Sequence, residues 1–240
     1  MEQERHPDGV LRVRAQNPSP MTLDGTNTYV LGGWVVDPGP DDEAHLDAVL
    51  EAAGGELEGI ALTHSHPDHA GGADALAERA GGVSVVLPRD EQAVGPLTAL
   101  ATPGHAPDHV CLIAGDVCLA GDLVMGVGSV FIAPGEGSLS AYLNSLRRLR
   151  ELDMAVLCPG HGPYIWNPAV KIDEYIEHRL YRERLLIEAL GVGARTEDAM
   201  LDHAWADVAP ELRFAASLTL RAHLEKLRDE GRLPDDLGSF

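Results

Sequence analysis

The chain has 240 residues, 45% of them hydrophobic and 23% charged, the balance of a soluble globular protein that can bury a sizeable core. The formal net charge of −20 disfavours broad, backbone-driven nucleic-acid binding, which depends on a positive footprint. No apolar run approaches the ~18 residues needed to cross a bilayer, so no membrane association is expected.

"MEQERHPDG" at the start is charged and lacks an apolar core, which argues against a secretory signal. Cys111, Cys118 and Cys158 form no CxxC pair and are odd in number, as expected in a reducing cytoplasm. The first third reads as short strands: "VLRVRA" alternates, and "NTYVLGG" and "WVVDPGP" are β-rich runs cut by glycine and proline. "DDEAHLDAVLEAAGG" predicts a helix opened by Asp41 and Asp42, and "GIALTH" a short buried strand. "HAGGADALAERAGG" predicts a second helix and "VSVVLP" another strand. "HVCLIAGDVCLAGD" predicts two strands joined at Gly115-Asp116, a turn dipeptide in reversed order. Leu139, Leu143, Leu146 and Leu149 recur close to helical spacing, and "MAVLCPGHGP" is a strand ending in a histidine loop. Strands and helices in this alternation predict a layered α/β fold with two similar halves.

From Pro168 the pattern becomes helical. "PAVKIDEYIEHRLYRERLLIEALG" predicts one long helix, followed by two further helices and a short strand near "EGRL", an arrangement similar to a winged helix. The expected division is 1–167 for the catalytic part and 168–240 for the long helix plus this C-terminal unit.

The chemistry concentrates in "THSHPDHAGG", where His64, His66, Asp68 and His69 fall within six residues. His64 and His66 alternate, so an extended strand end turns both to one side. Pro67 stops the strand, leaving Asp68 and His69 at the start of a helix, and all four can face one metal-binding cavity. Three later loops repeat the theme: His105 after Pro-Gly, Asp122 at a strand end and His161 after a second Pro-Gly. Each alone is an ordinary turn residue; together, at the ends of successive strands, they complete a ligand set.

The order HxHxDH, His, Asp, His resembles the metallo-β-lactamase superfamily over nearly the whole chain. The resemblance implies an αββα sandwich holding two divalent metal ions, zinc first with manganese or iron possible. It assigns His64, His66 and His105 to one ion, Asp68, His69 and His161 to the other, and Asp122 to both. Zinc β-lactamases commonly carry cysteine where this chain has Asp122, so penicillin hydrolysis is not the leading expectation. "NPSPMTLDGTNTYVLG", "IEHRLYRERLLIEAL" and the C-terminal unit look like the lactamase-beta-2-like branch. That branch includes an endoribonuclease specific for single strands and fungal thioesterases that release polyketides from carrier proteins.

A water between two such ions is deprotonated near neutral pH, so no serine or cysteine nucleophile is required. Asp68 and Asp122 are the expected catalytic carboxylates, positioned to hydrogen-bond the attacking water. Asp37, at a strand end, and Asp108 are candidates to orient the histidines from behind. Asn27 and Tyr29 in "TNTY" are candidate substrate contacts, although the same residues make a plain strand. His109 either lines the pocket or is a satisfied strand-start residue. His178 is either a substrate contact or part of a packed helix face. The arginine runs Arg147, Arg148, Arg150 and Arg179, Arg182, Arg184 read as solvated, salt-bridged faces. The expected partner is single-stranded RNA or, as the alternative better suited to the charge, a small acyl-thioester. The intact ligand set argues against a purely binding role, and the oligomeric state is open.

Overall fold

The computed structural model describes residues 5–237. Strands β1 (Leu11–Arg14), β2 (Asn27–Leu31), β3 (Trp34–Val36), β4 (Gly59–Ala61) and β5 (Ser84–Val86) form one sheet in sequential order. Its first three strands pair antiparallel, and β3, β4 and β5 run parallel through crossovers. Helix α1 (Glu43–Ala52) makes the first crossover; α2 (Pro67–Ala70) and α3 (Ala73–Arg79) make the second. The Asp42 carboxylate caps α1 by accepting from the His45 N–H at 2.8 Å, which fixes where that helix starts.

The second sheet contains β6 (Ala93–Val94), β7 (Leu97–Ala101), β8 (Val110–Ala114), β9 (Val117–Gly121) and β10 (Val156–Pro159), again in sequential order. Pairing of Ala114 with Val117 leaves Gly115-Asp116 as the two-residue loop expected there. Helix α4 (Leu139–Arg150), capped by Ser138, carries the chain across to β10, which lies parallel to β9.

Alternation along the strands builds the layers. Tyr29, Leu31 and Val36 point between the sheets and meet Leu97, Leu112, Leu119 and Val156. On the outer face of the first sheet, Val30, Val35 and Ile60 pack against Leu46, Val49 and Leu76 of α1 and α3. On the outer face of the second, Cys111, Cys118 and Ala120 pack against Leu143 and Leu146 of α4 and Ile172 and Tyr175 of α5 (Pro168–Gly191). The result is an αββα sandwich.

Helix α5 serves two cores. Its first half belongs to the sandwich, whereas Leu186 and Leu190 join a separate cluster. That cluster is completed by Met200, Leu201 and Ala204 of α6 (Glu197–Ala204), Trp205, and Leu220, Leu224 and Leu227 of α7 (Arg213–Asp229). The strand expected near "EGRL" does not form: residues 230–237 are turns, and the Arg232 N–H is taken by the Leu227 carbonyl as α7 unwinds. The expected solvated arginine face is also only partly realised. Arg148 and Arg150 pair with Asp90 and Asp173 at the surface, but Arg179 and Arg182 are buried. No helix among the described residues is long and apolar enough to cross a membrane.

Candidate metal centre

The strand ends on one edge of the sandwich gather the histidines. His64 follows β4, His66 caps α2, and Asp68 and His69 lie in its first turn. His105 sits in the β7–β8 loop, Asp122 follows β9 and His161 follows β10. One donor atom from each of His64, His66 and His105 lies within 4.8 Å of the others, and the same holds for Asp68, His69 and His161. Asp122 stands between the two sets. Its Oδ2 is 3.5 Å from His105 Nε2, and its Oδ1 is 3.4 Å from both His69 Nε2 and His161 Nε2.

Which ring nitrogen faces inward is fixed by what the other one touches. The Asp37 carboxylate accepts from the Thr63 N–H and hydroxyl, both at 2.7 Å, and from His69 Nδ1 at 2.8 Å. Because the Thr63 hydroxyl has donated its hydrogen to Asp37, it accepts from His64 Nδ1 at 3.0 Å. His105 Nδ1 donates to the Phe131 carbonyl at 2.7 Å, His161 Nδ1 to the Gly25 carbonyl at 3.4 Å, and His66 Nε2 to Glu136 at 3.1 Å. Five histidines are therefore held by their outer N–H, and their remaining nitrogens converge.

That convergence fits a divalent cation. His66 Nδ1 lies 3.0 Å from both His64 Nε2 and His105 Nε2, and one nitrogen cannot satisfy two others with a single hydrogen or lone pair. Asp122 Oδ1 is buried without a hydrogen-bond partner among the described residues. Imidazole and carboxylate donors in this number suit zinc, manganese or iron.

The two sets differ electrostatically before any cation binds. Burial and the neighbouring histidines hold His64 below its ordinary value, and burial does the same for His105 despite Asp122. In the other set burial also opposes protonation, but the Asp122 charge outweighs it, aided by the Asp68 carboxylate beside His161 and the Asp37 carboxylate that accepts from His69. His161 is raised to about 9, and His69 is raised too, by Asp122 and Asp37. Asp122, although buried, is held well below the carboxylate range by His69 and His161.

The remaining expected contacts resolve differently. Asn27 and Tyr29 lie beneath the site, not on its wall: both are buried, and both donate to the Pro159 carbonyl, Asn27 also to Gly162. They hold the loop that presents His161. His109 is buried behind Asp122, its Nε2 accepting the Asp122 N–H at 3.0 Å and its Nδ1 donating to Thr102 at 2.9 Å. It orients Asp122 and has no free nitrogen for substrate. His178 lies in a cleft with Glu174, Glu177, Leu180, Tyr181 and Arg184 along α5, lined by none of the seven metal-directed residues. Asp108 touches none of the histidines through a hydrogen bond among the described residues, and lines a separate cleft with Pro103 and Pro107. Cys158 is raised to about 12 by burial and is no nucleophile.

Several supporting residues are not singled out by sequence alone. Thr63 was detectable as the residue leading into HxHxDH, and Gly160 as part of Pro-Gly-His. A Cβ on Gly160 would come within 2.5 Å of Asp122 Oδ1 and of His69 Cε1. Glu136 and the Phe131 carbonyl belong to a loop without any local pattern.

A four-layer sandwich with paired His/Asp clusters at its strand ends defines the class of metal-dependent hydrolases of the metallo-β-lactamase fold. The chain belongs to the metallo-beta-lactamase superfamily, whose model matches residues 21–95 and 88–161. Residues 196–236 match the beta-lactamase-associated winged helix domain. A beta-lactamase-like protein 2 homolog of Caenorhabditis elegans is 32% identical, the match covering 95% of this chain and 87% of that one. A metallo-beta-lactamase family protein from Thermus thermophilus is 26% identical with a TM-score of 0.73, over 93% of this chain and 94% of the other. TTHA1623, solved in a di-iron-bound form, is also 26% identical, with a TM-score of 0.54 over 66% of this chain and 96% of its own.

Proposed function

We propose that the chain is a two-metal hydrolase cleaving phosphodiester bonds in single-stranded RNA. The observation that carries the two-metal reading is Asp122, whose two oxygens face different donor sets at 3.4–3.5 Å. His64, His66 and His105 would hold one cation, Asp68, His69 and His161 the other, and Asp122 both. Zinc is the first choice; the di-iron form of TTHA1623 keeps iron in view. Two divalent cations supply a water deprotonated at about pH 7 and a positive pole for the scissile oxygen.

The chain's own residues then orient the reactants. Without a cation, the neighbouring His161 and His69 rings hold Asp68 ionised despite its partial burial. Its carboxylate is the more exposed of the two, at 32% against 12% for Asp122, and accepts a hydrogen from the attacking water. Asp122, deeper and oriented by His109, keeps its place during turnover. The RNA reading rests on the resemblance of "NPSPMTLDGTNTYVLG" and "IEHRLYRERLLIEAL" to the lactamase-beta-2-like branch, and the beta-lactamase-like protein 2 homolog matches almost the whole chain. The net charge of −20 favours a second reading, hydrolysis of an acyl-thioester, because such a substrate needs no positive surface.

Elemental analysis of the purified protein should find about two divalent metals per chain. Parallel assays on a fluorogenic single-stranded RNA and an acyl-thioester then choose the substrate. Cleavage of the thioester alone, abolished in Asp122→Ala, would overturn the RNA reading.

A further inference from the structure

The first part of the chain between β9 and α4, residues 122–131, touches three of the metal-directed residues. It begins at Asp122, its Gly126 N–H donates to the His161 carbonyl at 3.0 Å, and its Phe131 carbonyl receives His105 Nδ1 at 2.7 Å. Residues 122–131 contain no helix or strand to hold them. Three side chains from α4 and α5 nonetheless reach across and bond several of their backbone groups. The Tyr142 hydroxyl donates to the Leu123 carbonyl at 2.7 Å. The Tyr175 hydroxyl accepts from the Met125 N–H at 3.2 Å and donates to the Gly128 carbonyl at 2.9 Å. Arg179, one turn after Tyr175 on the same face of α5, donates to the Val130 carbonyl.

Arg179 is the unusual member. It is 2% exposed, and it makes no ion pair among the described residues. Its guanidinium lies 5.5 Å from the centre of the Tyr142 ring and against His223 of α7, whose protonation it opposes. A buried guanidinium without a carboxylate is costly, and apolar residues of similar volume would fill the space as well. Its guanidinium bonds the Val130 carbonyl while its Nε is buried without a partner among the described residues, and the residue after that acceptor is the one that fixes His105.

We propose that Tyr142, Tyr175 and Arg179 form a clamp through which α4 and α5 position Asp122 and His105 for metal binding, with Arg179 as its positioning residue. The long helix and the C-terminal unit then have a purpose at the metal centre without contributing a ligand to it.

The clamp rests on the metal-centre reading, and cobalt(II) binding separates the two. Full-length wild type, Arg179→Met, Arg179→Lys, Tyr142→Phe and Arg182→Met are stripped of metal and titrated with cobalt(II). Affinity is read by chelator competition and coordination by the visible absorption bands. Arg182, also buried on α5, bonds to the Ala204 carbonyl, Asp207 and His178, none of them on the metal-bearing loop, and reports general destabilisation. The expected result is a ~10–100-fold loss of affinity with altered bands in Arg179→Met, the range for groups that orient ligands. Arg179→Lys recovers part of it, Tyr142→Phe shows a smaller loss, and Arg182→Met keeps both affinity and bands. If Arg179→Met does not fold, Tyr142→Phe decides by the same readout. Wild-type affinity and spectra in Tyr142→Phe and in folded Arg179→Met would sink the clamp, as would an equal loss in Arg182→Met. Failure of the wild type itself to bind cobalt would instead sink the metal-centre reading.

Discussion

His64 at the sheet edge and His223 in α7 are both fully buried, yet their rings are treated in opposite ways. His64 has its outer nitrogen fixed by Thr63 and its inner nitrogen 3.0 Å from His66. His223 has neither ring nitrogen hydrogen-bonded among the described residues; it packs edge-on to Trp205 at 5.7 Å. Burial, and then the charges of Arg179 and Lys226, hold it well below the ordinary histidine value. Burial alone therefore does not mark a ligand. The mark is an outer N–H held by an acceptor while the inner nitrogen meets others that it cannot satisfy. In the C-terminal unit the imidazole is only a filler of space.

The largest test of that contrast is Asp122→Ala. It removes the carboxylate between the two donor sets, and metal content should fall below two per chain. Turnover should fall by more than the ~100-fold expected for an outer residue. Unchanged metal content would break the shared-carboxylate assignment. A smaller effect is expected from Asp37→Asn, which weakens the acceptor for Thr63 and His69 without touching a metal. Metal affinity should drop ~10-fold or more, measured by chelator competition, and a shift within error would remove Asp37 from the centre's support.

Metal removal reads the same centre through stability. At metal concentrations about 100 times Kd, binding adds ~2.7 kcal/mol, so Tm should fall by roughly 5–10 °C when chelator is added. Calorimetry showing no shift would mean that the folded chain holds no metal.

The smallest effect is expected at His223. Its folded pKa is depressed, so the unfolded chain takes up a proton that the folded chain refuses. That costs stability as pH falls below about 6.5 and costs nothing at pH 8. His223→Leu should therefore raise Tm by a few degrees at pH 5 relative to wild type, and by less at pH 8. An equal change at both pH values would show that folding does not lower the His223 pKa.

Much of the centre was legible in the sequence because its ligands come in local clusters with their own geometry. HxHxDH sets alternate strand residues and a helix start within one short stretch, and each Pro-Gly-His stops a strand and turns one histidine outward. Asp37 was legible for a similar reason, at the end of β3. Strands β6 and β7 escaped because "AVGPLTALA" is split by Gly95-Pro96 into pieces too short to show a period. For Asn27, Tyr29 and His109 the sequence left pocket wall and plain strand residue equally open, for a different reason. Polar residues at strand ends look alike whether they face the cavity or hold the loop beneath it.

The sequence by itself determined a layered α/β fold and a histidine-aspartate cluster, because these depend on periodicity and on spacing within a few residues; the αββα layer order, the set of seven metal-directed residues and the hydrolase class followed from the resemblance to the metallo-β-lactamase superfamily. Only the tertiary structure decided which nitrogen of each histidine faces inward, since its acceptor lies elsewhere in the chain: Gly25 for His161, Phe131 for His105 and Glu136 for His66. It also decided that Arg179 is buried against the metal-bearing loop, not solvated on a helix face. A helix pattern shows how its residues are spaced around the axis; what covers each face is set by packing of the whole chain.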